Sequence, residues 1–445
     1  MSSAAEKMEN KLNTPRQTGR HLDFRGFRLL ALAAYALLNV LYLLSCMQRT
    51  AIPGAIFNDI QGELGLLGSQ VTRLGTVYVY SCAVLQIFAG MAVDRYGGKR
   101  SGILGGLLLG AGMLLFATAR DTTTLYASRV VAAAGQAFMY LCVVKIAHAL
   151  FPPWQFAALN GLCIAIGSAG GILGTLPAQR IAQFVGWRPL FLGTGLCSIA
   201  AVAAIALALS PLHERRRESG IVTWATLRRL FNDRGRLCLM IYDFWVYPSY
   251  FILQAVLGQK FIQDWFGCSA STAAAFTMTL TLATIATSLL GAPALRLTGG
   301  RRLPLVRLSK GFPPLLAAVM LAGVVLRWPA WVFFICFALM SMNYLGSAAS
   351  SALMSELTDT GTIAFTAAVR NSFPFAGAGV CGGICGAILD RFAPTAAGGV
   401  IHYPVGAYIA ILAVMAAFGT VGFLTTLGVP ETRGRHLYRP DDVAP

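Results

Sequence analysis

Arginines lie deep inside several long apolar segments of the sequence. The deepest are Arg49, Arg129 and Arg370. A charged side chain in a lipid-embedded helix is costly, and it is tolerated mainly where it faces water or meets an opposite charge. Guanidinium groups bind carboxylates and phosphates through two parallel hydrogen bonds. We therefore expect these arginines to face a central cavity and to bind a small organic anion there, chiefly through Arg49 and Arg129.

Neutral polar side chains accompany these arginines. Gln48 precedes Arg49, and Gln136 follows Arg129 by seven residues, which places those two on one face of a helix. Glutamine can hydrogen-bond a ligand but cannot titrate. The other neutral residues predicted to contact the substrate are Tyr247, Asn343 and Asn371.

Two further ionisable residues are candidates for coupling or gating. Asp243 and Arg370 lie in different apolar segments, both in the half nearer the predicted cytoplasmic side. We therefore expect the two to form an ion pair. Asp243 is also the acid that could carry a coupling proton. Lys145 lies near the end of its segment, where a long side chain can also reach the membrane surface.

The composition is that of a membrane protein. Of the 445 residues, 56% are hydrophobic and only 12% are charged, against about 25% charged in a typical soluble protein. Apolar runs long enough to cross a bilayer need about 20 residues. We predict twelve of them, near 29–55, 71–93, 102–119, 123–150, 155–180, 187–210, 239–263, 271–294, 304–326, 330–355, 362–389 and 404–428.

Basic residues predict the orientation of these spans. The segments at one side carry 24 of the 35 Lys and Arg, among them Lys310, which is assigned to the loop after the eighth span, and those at the other side carry six. An excess of Lys and Arg marks the cytoplasmic side, so both termini are expected in the cytoplasm. The predicted parts are a tail (1–28), a six-helix bundle (29–210), a linker (211–238), a second six-helix bundle (239–428) and a tail (429–445).

A glycine pattern recurs at equivalent places in the two predicted bundles. The fifth span contains Gly167, Gly170, Gly171 and Gly174, and the eleventh repeats the spacing at Gly379, Gly382, Gly383 and Gly386. Small residues at this spacing let helices pack closely. Their equal placement, six spans apart, favours a parallel internal repeat.

The loop after the second span carries a specific motif. It reads Gly-x-x-x-Asp-Arg-x-Gly-x-Lys-Arg and resembles the signature loop of the major facilitator superfamily; its residues are Gly90, Asp94, Arg95, Gly97, Lys99 and Arg100. The resemblance implies an all-α fold of two pseudo-symmetric six-helix bundles, with this loop as a conformational latch. A degenerate copy follows the eighth span and contributes Arg296 and Arg301, with Leu295 in place of the aspartate.

One branch of that superfamily is most similar to this sequence. Gln48-Arg49, with Gln70 and Gly75 beyond the next loop, resembles the anion–cation symporters. Members of that branch often carry acids at the positions that Gln48 and Gln136 occupy here. The resemblance implies an organic-anion transporter of the plasma (inner) membrane, and the missing acids leave proton symport, exchange and facilitated diffusion all open.

Two other functions compete with this interpretation. A drug, metabolite or sugar exporter could use the same fold, although a cationic cavity suits a lipophilic cation poorly. A non-transporting sensor would need a signalling domain, and the tails and linker are too short to fold independently. We expect no enzyme activity, cofactor, metal or nucleic-acid partner, and a monomer whose partners are the lipid bilayer, the substrate and a candidate coupling proton.

Overall fold

The computed structural model describes residues 24–151, 156–208, 230–358, 363–397, 400–433 and 435, and these are nearly all helical. The first 23 residues, most of the predicted linker and the end of the C-terminal tail lie outside the described residues. The first described helix begins at Phe24, the first described residue.

The described residues of the N-terminal half form seven helices and one 3₁₀ turn, Gly54–Ile56, that follows α1. The helices are α1 Phe24–Ala51, α2 Phe57–Leu64, α3 Gly68–Thr118, α4 Thr122–Leu150, α5 Phe156–Leu173, α6 Leu176–Val185 and α7 Trp187–Ala208.

The residues described in the C-terminal half form eight helices and one two-stranded hairpin. The helices are α8 Arg234–Phe251, α9 Gly258–Phe266, α10 Ala270–Leu297, α11 Arg302–Val325, α12 Ala330–Met340, α13 Ser347–Glu356, α14 Ile363–Arg391 and α15 Val405–Thr425. A π-helical turn, Ile252–Val256, joins α8 to α9, and 3₁₀ turns at Ser341–Tyr344 and Thr426–Gly428 follow α12 and α15. The antiparallel hairpin pairs β1 Thr395–Ala397 with β2 Val400–His402.

The described residues contain ten helices long and apolar enough to cross a membrane, and an eleventh if the bent pair α5–α6 counts as one span. The predicted number of twelve is therefore not confirmed. The difference is the predicted seventh span, 239–263, which is interrupted by the π-helical turn between α8 and α9. Many large apolar side chains on the outside, such as those of Leu207 and Leu297, are exposed, as expected of a surface that faces lipid.

One sequence assignment was wrong. Lys310 was counted with the basic loop after the eighth predicted span, but it lies inside α11, with a side chain only 6% exposed. It therefore contributes nothing to the charge bias of the loops, and it joins the ionisable residues of the interior.

The loop motif after the second span forms a sharp bend within α3. Gly97 has φ +83°, a conformation that side chains with a Cβ rarely adopt. The bend divides α3 into two apolar stretches, Gly68–Val93 and Arg95–Thr118. A glycine is needed at this position because the chain must reverse direction across the membrane surface within a few residues.

The repeated glycines lie at close helix contacts. Directly after α5, a Cβ on Gly174 would lie 2.9 Å from Cβ of Thr50 on α1. In α14, a Cβ on Gly382 would lie 2.7 Å from Oγ1 of Thr76 on α3, which belongs to the other half. The predicted role in close helix packing is confirmed for these two positions.

The two halves meet at the side opposite Phe24 and Arg435, the first and last described residues. We call this the hairpin side, because β1–β2 lies there, and the other the tail side. Hydrogen bonds between described side chains join the halves at the hairpin side, from Asn58 Nδ2 to Gln263 Oε1 (2.6 Å) and from Gln61 Nε2 to Tyr403 Oη (3.0 Å). A Cβ on Gly54 would lie 2.9 Å from the Ala255 carbonyl oxygen. The hairpin side is thus tightly closed.

A buried ionic network fixes the hairpin to the C-terminal half. The fully buried carboxylate of Asp264 accepts hydrogen bonds from Lys260 Nζ (2.7 Å), Tyr403 N (3.0 Å) and Tyr408 Oη (2.5 Å), and lies 2.9 Å from His402 Nδ1. The contacts of the hairpin within this half include a carboxylate, whereas its hydrogen bond to the N-terminal half, from Gln61 to Tyr403, joins two neutral groups. The hairpin is therefore held more firmly to α9 than to the opposite half.

Candidate substrate-binding site

A large cavity lies between the two halves and extends toward the tail side. Its central part has a volume of about 650 Å³ and its tail-side part about 590 Å³, and residues such as Tyr247, Tyr344 and Asn371 line both parts. Ser355 and Thr358, at the tail-side end of α13, border the second part. The volume is in the range of pockets that bind small molecules.

Arg49 lines the central part of this cavity. It lies near the end of α1, is partly exposed to the cavity, and forms no ion pair with any described carboxylate. Aromatic and amide groups surround it, including Tyr42, Tyr250 and Gln254. A cation in this setting retains its capacity to bind an anion.

Arg129 lies behind the cavity wall instead. Its side chain is fully buried, and its guanidinium donates to Gln48 Oε1 (2.5 Å), to the Leu74 carbonyl (3.3 Å) and to the Ile52 carbonyl (3.4 Å). The ring of Tyr78 covers it at 4.2 Å, and Gln48 Nε2 donates to the Tyr78 hydroxyl at 2.9 Å. Arg129 is therefore held by neutral acceptors and an aromatic face.

The expected pairing of Arg49 and Arg129 in one binding site needs a correction. Neither Arg129 nor Gln48 is among the described residues that line the cavity. The physical reason is geometric, because the amide of Gln48 turns toward Arg129 while the guanidinium of Arg49 faces the cavity. Arg129 and Gln48 form the support behind the wall rather than the ligand-facing surface.

Gln136 reaches the cavity even though Arg129, on the same helix, does not. Its buried Oε1 atom has no hydrogen-bond partner among the described residues. Asn371 and Tyr247 line both parts of the cavity, and Asn343 lines the tail-side part. These four predicted residues are therefore brought together in one space.

An ionic cluster borders the tail-side part of the cavity. The predicted pair of Asp243 and Arg370 is present, with Nη2 of Arg370 2.9 Å from Oδ2 of Asp243. Lys310 Nζ lies 3.1 Å from the other carboxylate oxygen, Oδ1 of Asp243, and also donates to Asn343 Oδ1 at 2.9 Å. Hydroxyl groups of Ser350 and Tyr242 also contact Arg370. Two cations thus share one carboxylate.

The cavity lining is strongly cationic. Among the described residues that line it, the cations are Arg49, Lys310 and Arg370, and the only carboxylate is that of Asp243. Three positive charges against one negative charge favour an anionic ligand, because each uncompensated charge in a low-dielectric space is costly.

The sequence did not reveal several lining residues. Lys310 could have been found, because it falls inside the predicted span 304–326, where an ionisable residue is a functional candidate by default. Gln254 and Tyr250 follow Pro248 and carry no charge, so nothing distinguished them from packing residues. Gln254 reaches the cavity wall from the π-helical turn and donates to Thr281 Oγ1 at 3.1 Å; such turns often occur at functional sites.

The other predicted residues lie away from the cavity. Lys145 is half-buried in α4 and is not among the described residues of the lining. In the loop motif, Arg95 and Arg100 are exposed, and Arg95 lies over the ring of Tyr96 at 5.5 Å. The Asp94 side chain lies outside the described residues. Gly90 and Lys99 are half-buried, and Arg296 and Arg301 of the second copy are exposed. The latch remains a prediction.

Similar proteins are transporters. Residues 38–380 match the Major Facilitator Superfamily. Multidrug resistance protein 2 of Bacillus subtilis is 29% identical over 140 residues, which is 32% of this chain and 35% of that protein. The probable sulfoacetate transporter SauU of Cupriavidus necator is 24% identical over 140 residues, 32% of this chain and 33% of that protein. This chain thus spans about a third of the length of these curated relatives.

The fold is also found among solved structures. A bacterial homologue of the human lysosomal transporter Spinster, in an inward-facing and unoccupied conformation, matches with a TM-score of 0.72 and 16% identity over 92% of this chain and 99% of that one. The superfamily match covers well over half of the sequence. The chain therefore belongs to the Major Facilitator Superfamily and is a multi-pass membrane protein.

Proposed function

We propose that this protein is a secondary transporter that moves a small organic anion across the membrane by alternating access. The observation that carries the proposal is the position of Arg49, which lines the central cavity with no described carboxylate paired to it. A guanidinium in a water-poor cavity binds a carboxylate or phosphonate-like group in preference to a neutral or cationic one.

The arrangement of the two halves supports alternating access. The hairpin side is closed by contacts between the halves, and the cavity extends toward the tail side. Substrate would then enter and leave the central part from one side at a time. The excess of Lys and Arg at the tail side supports a cytoplasmic location for that side, in a plasma membrane.

Coupling to protons would fall to Asp243, the carboxylate of the described cavity lining. Two cations contact it, and a proton on Asp243 would release both of them. Exchange of one anion for another needs no titrating group, and the neutral Gln48 and Gln136 fit that mode. Uptake into vesicles with and without a proton gradient, in wild type and Asp243→Asn, separates the two; gradient-independent uptake excludes symport.

A drug exporter is the second candidate. Its support is the relative named a multidrug resistance protein and the aromatic lining, in which Tyr250 and Tyr344 pack with ring centroids 4.9 Å apart. Aromatic walls suit lipophilic compounds. The cationic lining argues against lipophilic cations, and the relative named a probable sulfoacetate transporter agrees better with an anion.

A thermal-shift screen of the purified protein tests the proposal. A ligand that binds the folded state raises the melting temperature. Carboxylates, sulfonates and phosphates should raise it, and Arg49→Ala should abolish the effect. If only neutral or cationic compounds stabilise the protein, the anion proposal fails and the exporter is favoured.

A further inference from the structure

We infer that the substrate carries two anionic groups, one bound by Arg49 of the N-terminal half and the other by Lys310 and Arg370 of the C-terminal half. The inference rests on the proposed anion transport and narrows its substrate class to dianions such as dicarboxylates. It follows from the placement of two separate cationic centres on opposite walls of one cavity.

The second cationic centre, formed by Lys310 and Arg370, can bind a further anionic group. Lys310 and Arg370 contact different oxygens of Asp243, at 3.1 and 2.9 Å, so the cluster carries one net positive charge. Arg370 makes its contacts to Asp243, Tyr242 and Ser350 through Nη2 alone, and its buried Nε has no partner among the described residues. Because Lys310 and Arg370 both line the tail-side part of the cavity and together exceed the charge of Asp243, the cluster can bind an incoming carboxylate.

The two centres face one continuous space. Tyr247, Tyr344 and Asn371 line both its central and its tail-side parts. Tyr344 adjoins Asn343, which accepts from Lys310, and the hydroxyl-bearing rings of Tyr247 and Tyr250 lie near the central part with centroids 6.1 Å apart. A diacid with a short aliphatic or planar spacer between its two acidic groups would lie along this aromatic wall and contact both centres.

The charge of the lining matches such a ligand. Arg49, Lys310 and Arg370 against Asp243 leave two uncompensated positive charges among the described lining residues. A monoanion neutralises one and leaves the other buried without a partner, which is costly. A dianion neutralises both.

The placement also gives the ligand a mechanical role. Arg49 lies on α1, whereas the cluster is built from α8, α11 and α14. A dianion bound at both centres would link the halves across the open part of the cavity. Its binding energy would favour closure of the tail side, which a monoanion could not do.

Paired acids test the inference on the full-length purified protein. Affinities are measured by calorimetry at equal ionic strength for butyrate against succinate, glutarate and adipate, and for benzoate against phthalate and terephthalate. At least one diacid should bind about tenfold or more tightly than its monoacid, since a hydrogen bond to a charged group contributes about 1.5–3 kcal/mol.

Variants test whether the second anionic group of the ligand binds at Lys310 and Arg370. Lys310→Gln and Arg370→Gln each leave Asp243 with one cation, and both should lower diacid affinity to the monoacid level without weakening the monoacid. Arg120→Gln removes an exposed charge outside the cavity and should change neither affinity.

The outcomes separate the two proposals. Equal affinity for monoacid and diacid in every pair, or equal weakening of both by Lys310→Gln, would overturn the dianion inference while leaving anion binding in place. If no acid of either kind binds, anion transport itself is wrong, and the dianion inference falls with it.

Discussion

Arg129 Nη1 lies 2.5 Å from Gln48 Oε1, and this contact holds the arginine behind the cavity wall. Arg49, the residue that follows Gln48 in the sequence, faces the cavity instead. Adjacent residues of one helix point in directions about 100° apart, so a supporting amide and a ligand-binding cation can follow each other directly in sequence. The predictions below depend on this division of roles.

Gln48→Leu should destabilise the protein. The change removes an acceptor from a fully buried guanidinium and a donor to Tyr78, which should cost about 1–3 kcal/mol and lower the melting temperature in detergent. Gln136→Leu is the matched control, since the Gln136 Oε1 has no described partner to lose. It should leave the melting temperature nearly unchanged and weaken ligand binding. Equal melting temperatures for the two variants would contradict the assigned roles.

Asp243→Asn should also lower the melting temperature, because Lys310 and Arg370 would lose the charge that they share. Removal of one partner from a buried ion pair costs about 3–5 kcal/mol. The double variant Asp243→Asn/Lys310→Gln should recover part of that loss, because one of the two repelling cations is gone. If the double variant is less stable than the single one, the cluster is not held together by its charges.

A cross-link across the hairpin side should stop transport. Asn58→Cys/Gln263→Cys, in a background without the native cysteines and bridged by a flexible bis-methanethiosulfonate whose disulfide links a reductant cleaves, would hold together two residues of opposite halves that are hydrogen-bonded here. Ligand should still bind from the tail side, because that part of the cavity stays accessible. Transport should fall to background and recover on reduction.

The control for that cross-link lies within one half. Glu63 and Arg188 form a 2.7 Å ion pair between α2 and α7 of the N-terminal half. Glu63→Cys/Arg188→Cys, bridged in the same way, should transport normally. Normal transport by the cross-linked Asn58→Cys/Gln263→Cys protein would mean that the hairpin side does not open between the halves. Equal loss of transport in both cross-linked proteins would mean that the loss does not depend on linking the halves.

The sequence was sufficient for the fold and for part of the site. Long apolar runs predicted the spans, and the depths of Asp243 and Arg370 predicted their ion pair, which is present at 2.9 Å. Gln136, Tyr247, Asn343 and Asn371 line the cavity as expected. These successes depend on helical periodicity and on the cost of charge in lipid, both of which act locally along the chain.

The remaining features depend on contacts between distant segments. Arg129 and Arg49 have the same chemistry and similar depth, and only the packing of Tyr78 and Gln48 around Arg129 distinguishes them. The π-helical turn at Ile252–Val256 interrupts the seventh predicted span. No residue type in that segment predicts such a turn. Lys310 was misplaced because it follows four arginines that belong to or flank a loop.

Uptake by reconstituted vesicles tests the central claim most directly. Wild type, Arg49→Gln and Arg120→Gln are compared with a radiolabelled acid that stabilises the wild-type protein. The position of Arg49 in the cavity predicts that Arg49→Gln loses uptake at least about tenfold, as expected for loss of a charged hydrogen-bonding group, while Arg120→Gln matches wild type. Uptake by Arg49→Gln at the wild-type rate and affinity would contradict the account.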